Sequence, residues 1–189
     1  MADGRKRGSS LRTYVALLRG VNLGARNKVS MADLRALFLD LGHEDVATYV
    51  QSGNVIFKTE FGNDAELTKA IEGRIARDLG LSITVVVRTK AQLARVAADN
   101  PFVANETEPT KLHVTLLSDA PGRADVSELE ATKFAPDEFR LVGKEIYLHT
   151  PQGYGRTKLS GAYFEKQLGV AATTRNWRTV TKLAELASA

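Results

Sequence analysis

Apolar positions along this chain follow two periods. Short runs rich in strand formers occupy residues 13–19 (T-Y-V-A-L-L-R), 46–51, 54–59 and 83–88 (I-T-V-V-V-R), and they predict strands. Between them, Leu34, Leu37, Phe38 and Leu41 recur at helical spacing behind Ser30, with Asp33 in the capping-box position. Leu67, Ile71, Ile75 and Leu79 do the same behind Asn63 and Glu66, and Gly42 and Gly80 supply left-handed stops. Ser52-Gly53 turns the second strand into the third, a hairpin. The order over residues 13–89 is β-α-β-β-α-β, the split β-α-β or ferredoxin-like arrangement.

The rest of the chain offers the same order again. Thr89 and Gln92 form a capping box for a connecting helix that stops near Asn100-Pro101. A strand follows at 111–117, a short helix at about 125–131, a hairpin at 138–142 and 145–149, and a helix at about 159–168. An extended piece at 170–173 precedes a last helix over 176–187, with Trp177, Val180, Ala184 and Ala187 on one face. The expected fold is therefore α+β: two ferredoxin-like subdomains with antiparallel sheets, at 13–89 and 111–187, the second carrying the C-terminal helix. Residues 90–110 connect them, and a disordered basic tail occupies 1–12. The duplication rests on element order, since no residue-level similarity between the halves is evident.

Composition narrows the function. At 189 residues the chain is long enough to bury a core without staples, which matters because it has no cysteine. Disulfides, thiol catalysis and thiolate metal or iron-sulfur sites are excluded, and a cytoplasmic location is expected. No apolar run has signal-peptide or membrane-span length, so no membrane partner is expected. The excess of 26 Lys+Arg over 22 Asp+Glu invites a nucleic-acid reading, but it is unevenly spread. Beyond the tail the balance is +1; residues 19–28 carry +3 and 156–182 carry +5, leaving −7 for the remainder. Two positive segments on an acidic body favour a local anion site over broad polyanion binding.

Three polar clusters hold the candidate residues. The first, R-G-V-N-L-G-A-R-N-K at 19–28, joins a buried strand to a capped helix and contains Arg19, Asn22, Arg26 and Lys28 with no acid. A strand, a glycine-bearing loop and a helix start together offer free N–H groups to an anion, although the spacing fits neither the P-loop nor the dinucleotide fingerprint. The second is the Gln51-Ser52-Gly53-Asn54 turn. In a split β-α-β sheet the first two strands run parallel, which puts this turn at the same end as the first loop and makes Gln51 and Asn54 candidates. The third is C-terminal: Arg156, Lys158, Arg175 and Asn176 lie at two successive helix starts. Trp177, beside them, reads first as core and second as a base-stacking platform.

Catalytic patterns are sparse. His43, His113 and His149 have no metal-ligand spacing, so no metal is expected, and no cofactor motif occurs. Ser52 and Ser160 lack a nucleophile-elbow context. Glu44-Asp45 and Asp137-Glu138 read as solvated turns, His113 as a strand residue, and the aromatic signature of RNA-recognition modules is missing.

Taken together, the blocks Y-V-A-L-L-R-G-V-N-L-G-A-R-N-K-V-S-M-A-D-L-R, Y-V-Q-S-G-N-V-I-F, G-R-T-K-L-S-G-A-Y-F-E-K-Q-L-G and T-T-R-N-W-R-T-V-T-K-L resemble the bacterial family called domain of unknown function 1697. The resemblance spans about residues 12–186 and implies a two-part α/β fold of ferredoxin-like subdomains. It implies no activity or catalytic residue. Arg19, Asn22, Lys28, Asn54, Lys158, Arg175, Asn176 and Trp177 match its motifs, while Ala25 departs from them where a second glycine is usual. The leading expectation is a binding protein for a phosphorylated small molecule or nucleotide, with nucleic acid not favoured. The alternatives are an enzyme acting on a phosphorylated metabolite and a self-association or protein-interaction module.

Overall fold

The structure, a computed structural model, describes residues 11–24, 27–60, 62–106, 108–122, 126, 129 and 131–189. The first half consists of β1 (Arg12–Leu18), α1 (Met31–Asp40), β2 (Glu44–Tyr49), β3 (Asn54–Thr59), α2 (Asp64–Leu79) and β4 (Val85–Thr89), and α3 (Lys90–Ala98) follows. The second half contains β5 (Leu112–Leu117), β6 (Glu138–Val142), β7 (Glu145–His149), α4 (Gly161–Leu168), β8 (Ala172–Asn176) and α5 (Trp177–Leu186). The helix expected at about 125–131 lies largely outside the described residues, as does the tail through residue 10.

Each half forms a four-stranded sheet with every neighbouring pair antiparallel, ordered β2-β3-β1-β4 and β6-β7-β5-β8. These orders are equivalent, and both are consistent with the ferredoxin-like expectation. The helix ends follow the capping chemistry of the sequence. Ser30, Asn63, Thr89, Ser160 and Asn176 each accept a first-turn backbone N–H through the side chain, and Thr89 with Gln92 completes a reciprocal capping box. The last strand lies later than the 170–173 segment expected for it, because Gly169 takes the left-handed turn that ends α4 and the chain stays extended until Asn176 caps α5.

Strands β1, β4 and β5 read as near-continuous apolar runs because both of their faces are buried. In β1, Tyr14, Ala16 and Leu18 face the core under α1 and α2, whereas Val15 and Leu17 face the opposite way. That second face meets the corresponding face of the other sheet (Val114, Leu116 and Tyr147), along with Leu93 and Val96 of α3 and Trp177, Val180 and Leu183 of α5. A third core, with Leu117, Ile146, Leu148, Phe164 and Leu168, lies beneath α4. The central core welds the halves together, which is what allows a site to be built from both. Among the described residues, no helix is long and apolar enough to cross a membrane.

Candidate functional site

The loop after β1 and the β2–β3 hairpin touch, as their predicted placement at one end of the sheet requires. Asn22 makes the junction. Its Nδ2 donates to the carbonyls of Val29 (2.9 Å) and Gln51 (2.8 Å), and its Oδ1 accepts from Val29 N at 2.9 Å. It does so with φ +55, a conformation asparagine tolerates better than most residues. Leu18 N donates to Gly53 O at 2.8 Å. Gly53 has φ +72, and a Cβ there would lie 2.5 Å from Val21 Cγ2 and 2.8 Å from Leu18 Cβ, so the close approach of loop and hairpin requires glycine.

Arg175 enters this junction from the other half of the molecule. It is 8% exposed and spends all five guanidinium N–H groups inside the protein. Nε donates to Asn54 Oδ1 (2.6 Å), Nη1 to Thr173 Oγ1 (2.8 Å) and Thr174 O (2.9 Å), and Nη2 to Leu18 O (2.7 Å) and Ser52 O (2.9 Å). Asn54, fully buried, is fixed in turn by Nδ2 bonds to Tyr49 O and Ser52 Oγ. Every acceptor of Arg175 is neutral, and among the described residues no carboxylate forms an ion pair with it. Burial pulls its pKa down to about 10, so the guanidinium is still charged at neutral pH. This is a fully hydrogen-bonded but electrically uncompensated cation.

A cleft of about 450 Å³ opens beside it along the free edge of β8. Arg19, Gly20, Val21, Leu23 and Ser52 line one wall, and Tyr154, Gly161, residues 172–176 and Thr179 the other. Gly161 begins α4 within 3.3 Å, from its would-be Cβ, of Thr174 Oγ1, which shares a 2.7 Å hydrogen bond with Thr115 Oγ1. Arg19 pairs with Glu165 at 2.5 Å, and Glu165 also accepts from the edge amide of Ala172 at 2.9 Å. Tyr154 stacks on His113 with ring centroids 4.4 Å apart. Burial pushes the His113 imidazole down to about 4, so it is neutral at pH 7; its Nδ1 is buried and has no hydrogen-bond partner among the described residues. The cleft thus offers hydroxyls, helix starts and a positive field.

The predicted residues separate into groups. Arg19, Arg175 and Asn176 line the β8 cleft, and Asn22 and Asn54 build its wall. Arg175 and Asn54, expected to contact a ligand, have their polar groups committed within the protein; Arg175 acts on the cleft only through its charge. Arg156 and Lys158 line a separate cleft of about 230 Å³ with Lys133, on the other side of the 3-10 turn Tyr154–Arg156. Lys28 and the Gln51 side chain are exposed and line neither cleft, while the Gln51 carbonyl holds Asn22. Trp177, the possible stacking platform, is buried in the central core, so its first reading stands. Arg26 and the departing Ala25 lie outside the described residues. Sequence reasoning missed Thr173, Thr174, Thr179, Tyr154 and Glu165. The threonines and Glu165 stand inside the quoted motif blocks and Tyr154 just before one, but only the folded arrangement shows which of them face the cleft.

A related cleft of about 830 Å³ lies along the free edge of β4, the counterpart of β8. The registers align the halves residue by residue: Val15 pairs with Arg88 as Val114 pairs with Arg175. Arg88, 4% exposed, donates to Leu117 O (2.7 Å), Lys144 O (3.3 Å), Val87 O (3.0 Å) and Glu145 Oε1 (2.9 Å). Leu117 corresponds to Leu18, and Glu145, first residue of β7, to Asn54, first residue of β3. Residue-level correspondence between the halves, absent from the sequence reading, therefore exists at V-R-T (87–89) and T-R-N (174–176).

No curated protein matches the chain. Among solved structures it is similar to the conserved bacterial protein SP0830 from Streptococcus pneumoniae, with a TM-score of 0.72 and 23% identity over 94% of this chain and 99% of that one. That likeness extends over both halves and speaks to the fold alone. The sequence model described as protein of unknown function (DUF1697) matches residues 11–147, which include the Arg19–Lys28 loop and the Asn54 hairpin but not the Arg175 strand. With most of its length covered by that match, the chain belongs to the DUF1697 family, whose function is unknown.

Proposed function

We propose that the β8 cleft binds a small phosphate-bearing or other anionic ligand. The observation that carries this reading is Arg175, a buried guanidinium with five neutral partners and, among the described residues, no paired carboxylate, beside an open polar cleft. Its hydrogen bonds are fixed before any ligand arrives, so the cation costs no reorganisation on binding. A unit anion roughly 6 Å away gains about 3 kcal/mol at an effective dielectric constant near 20. Thr173, Thr174 and Thr179 supply hydroxyls, and Arg19 at the rim supplies a second cation shared with Glu165. The missing cysteines suit a reducing compartment, so cytoplasmic phosphate esters are the ligands to try first.

Isothermal titration with inorganic phosphate, sugar phosphates and nucleoside monophosphates tests the reading. We expect saturable one-to-one binding that weakens at least tenfold in Arg19→Glu, at an exposed position with an unchanged circular dichroism spectrum as the check on its fold, and stays unchanged in Lys144→Glu in the β4 cleft. The reading is overturned by an absence of saturable binding, or by equal affinity in Arg19→Glu.

A further inference from the structure

The second basic cleft adjoins the first. Tyr154 lines the β8 cleft, while Gly153 and Arg156, its neighbours in the chain, line the other. Residues Tyr154–Arg156 form one 3-10 turn, in which residues two apart point about 120° apart around the axis, so the turn is a ridge with an aromatic on one flank and a cation on the other. Lys133 and Lys158 join Arg156 beyond the ridge, with Asp137 as the acid lining that cleft. Among the described residues none of these three cations forms an ion pair. Their exposure keeps them free to meet a ligand.

The surface therefore presents Arg19 and the field of Arg175 in one cleft, the half-buried Tyr154 on the ridge, and Arg156, Lys158 and Lys133 in the other cleft. Cations spaced on either side of an aromatic platform are the construction that holds single-stranded nucleic acid, phosphates on the charges and a base on the ring. A single phosphate ester fills only the first part. His113 backs the Tyr154 ring from behind at 4.4 Å, which holds the platform in place at little entropic cost on binding. Resting on the anion reading of the β8 cleft, we propose that the two clefts form one track across the Tyr154 ridge for a short single-stranded oligonucleotide.

Calorimetry with 5′-phosphorylated oligonucleotides of one to four nucleotides, and with tripolyphosphate as a base-free polyanion, tests the track. From the mononucleotide to the tetranucleotide, affinity is expected to rise at least tenfold at low salt, with the rise shrinking as salt increases. The variant Lys133→Glu/Arg156→Glu/Lys158→Glu should lose that rise and keep mononucleotide affinity. Tyr154→Ala should weaken binding several-fold, with Tyr154→Phe restoring it, which separates stacking from loss of the hydroxyl. The track is overturned if affinity does not grow with length, if the triple variant keeps the growth, or if tripolyphosphate binds as tightly as the trinucleotide. Mononucleotide binding that survives any of these results leaves the anion reading of the β8 cleft standing; its absence along with the rest removes both.

Discussion

The two buried arginines occupy equivalent positions and perform the same structural task with opposite electrostatics. Each leaves the last strand of its own sheet and ties the end of the other sheet's first strand to a hairpin. Arg88 meets a carboxylate at Glu145, and the amide Asn54 stands opposite Arg175. The β4 clamp is thus neutral overall, and among the described residues its cleft carries acids and bases in equal number: Asp64, Glu72 and Asp119 against Lys69, Arg88 and Lys144. The β8 clamp is a net cation, and Arg19 and Gly20 stand in its cleft where Ser118 and Asp119 stand in the other. One architecture used twice yields one cleft beside a buried cation with neutral partners and one beside a buried cation paired with a carboxylate. Glutamates complete the parallel by taking the first edge amide of each free strand, Glu72 on Val85 N and Glu165 on Ala172 N, which also blunts both edges against pairing with another chain.

Removing each clamp in turn should break the pair apart most visibly. Arg88→Met strands the Glu145 carboxylate, 18% exposed, and is expected to cost about 3–5 kcal/mol of unfolding free energy. Arg175→Met strands neutral oxygens while relieving a buried charge, and about 2–4 kcal/mol is expected. The companion substitutions distinguish them in urea denaturation. Glu145→Gln should restore a substantial share of the Arg88→Met loss, because it deletes the stranded charge. Asn54→Ala should restore little of the Arg175→Met loss, because four other acceptors stay orphaned. Equal recovery in both would mean that the charge of Glu145 contributes nothing to the difference.

The hairpins facing the clamps differ in a way that predicts the next effect. Gly53 and Gly143 both have positive φ, +72 and +62. A Cβ at Gly53 collides with Val21 and Leu18, whereas at Gly143 its nearest contact is Glu145 Oε2 at 3.8 Å. Gly53→Ala is expected to destabilise by about 2–4 kcal/mol, combining backbone strain with overpacking, and Gly143→Ala by about 1 kcal/mol from strain alone. Matching losses in thermal melts would show that the loop and hairpin do not pack as closely as described.

Much of this was legible in the sequence, and the exceptions share one cause. Caps, glycine stops and apolar periods are local signals, so the elements and their order followed from Ser30, Asn63, Thr89 and Asn176. The meeting of the Arg19 loop with the Asn54 hairpin follows from the parallel run of the first two strands in a split β-α-β sheet. What local reading could not supply is which way a cation turns. Arg175 and Arg156 look alike among hydroxyl and glycine neighbours, yet strand alternation sends Arg175 inward beside Thr173, while the turn before α4 leaves Arg156 outside. Arg88 ends an apolar strand, where no local signal sets it apart. Its equivalence to Arg175 emerges only from the register, because the halves share positions and almost no residues.

The smallest effect separates two equivalent ring positions by pH. His113 and Tyr14 are equivalent, each one residue before the valine that pairs with an arginine, and both are buried ionisable rings. Desolvation acts on them in opposite directions. His113 is pushed from 6.5 down to about 4, so the unfolded chain binds its proton more readily than the folded one. The stability this neutral ring preserves is complete above about pH 6.5 and is lost as the pH falls toward 4. Tyr14 is raised, chiefly by burial, so the stability it contributes is complete below about pH 10 and is lost above it. Between pH 7 and pH 5 the melting temperature of His113→Leu should therefore fall less than that of the parent, by a few degrees. Tyr14→Phe should keep the parent's acid slope and flatten the alkaline one. An acid slope unchanged in His113→Leu would show that this imidazole is solvated, and with it that the ring stack behind Tyr154 is open.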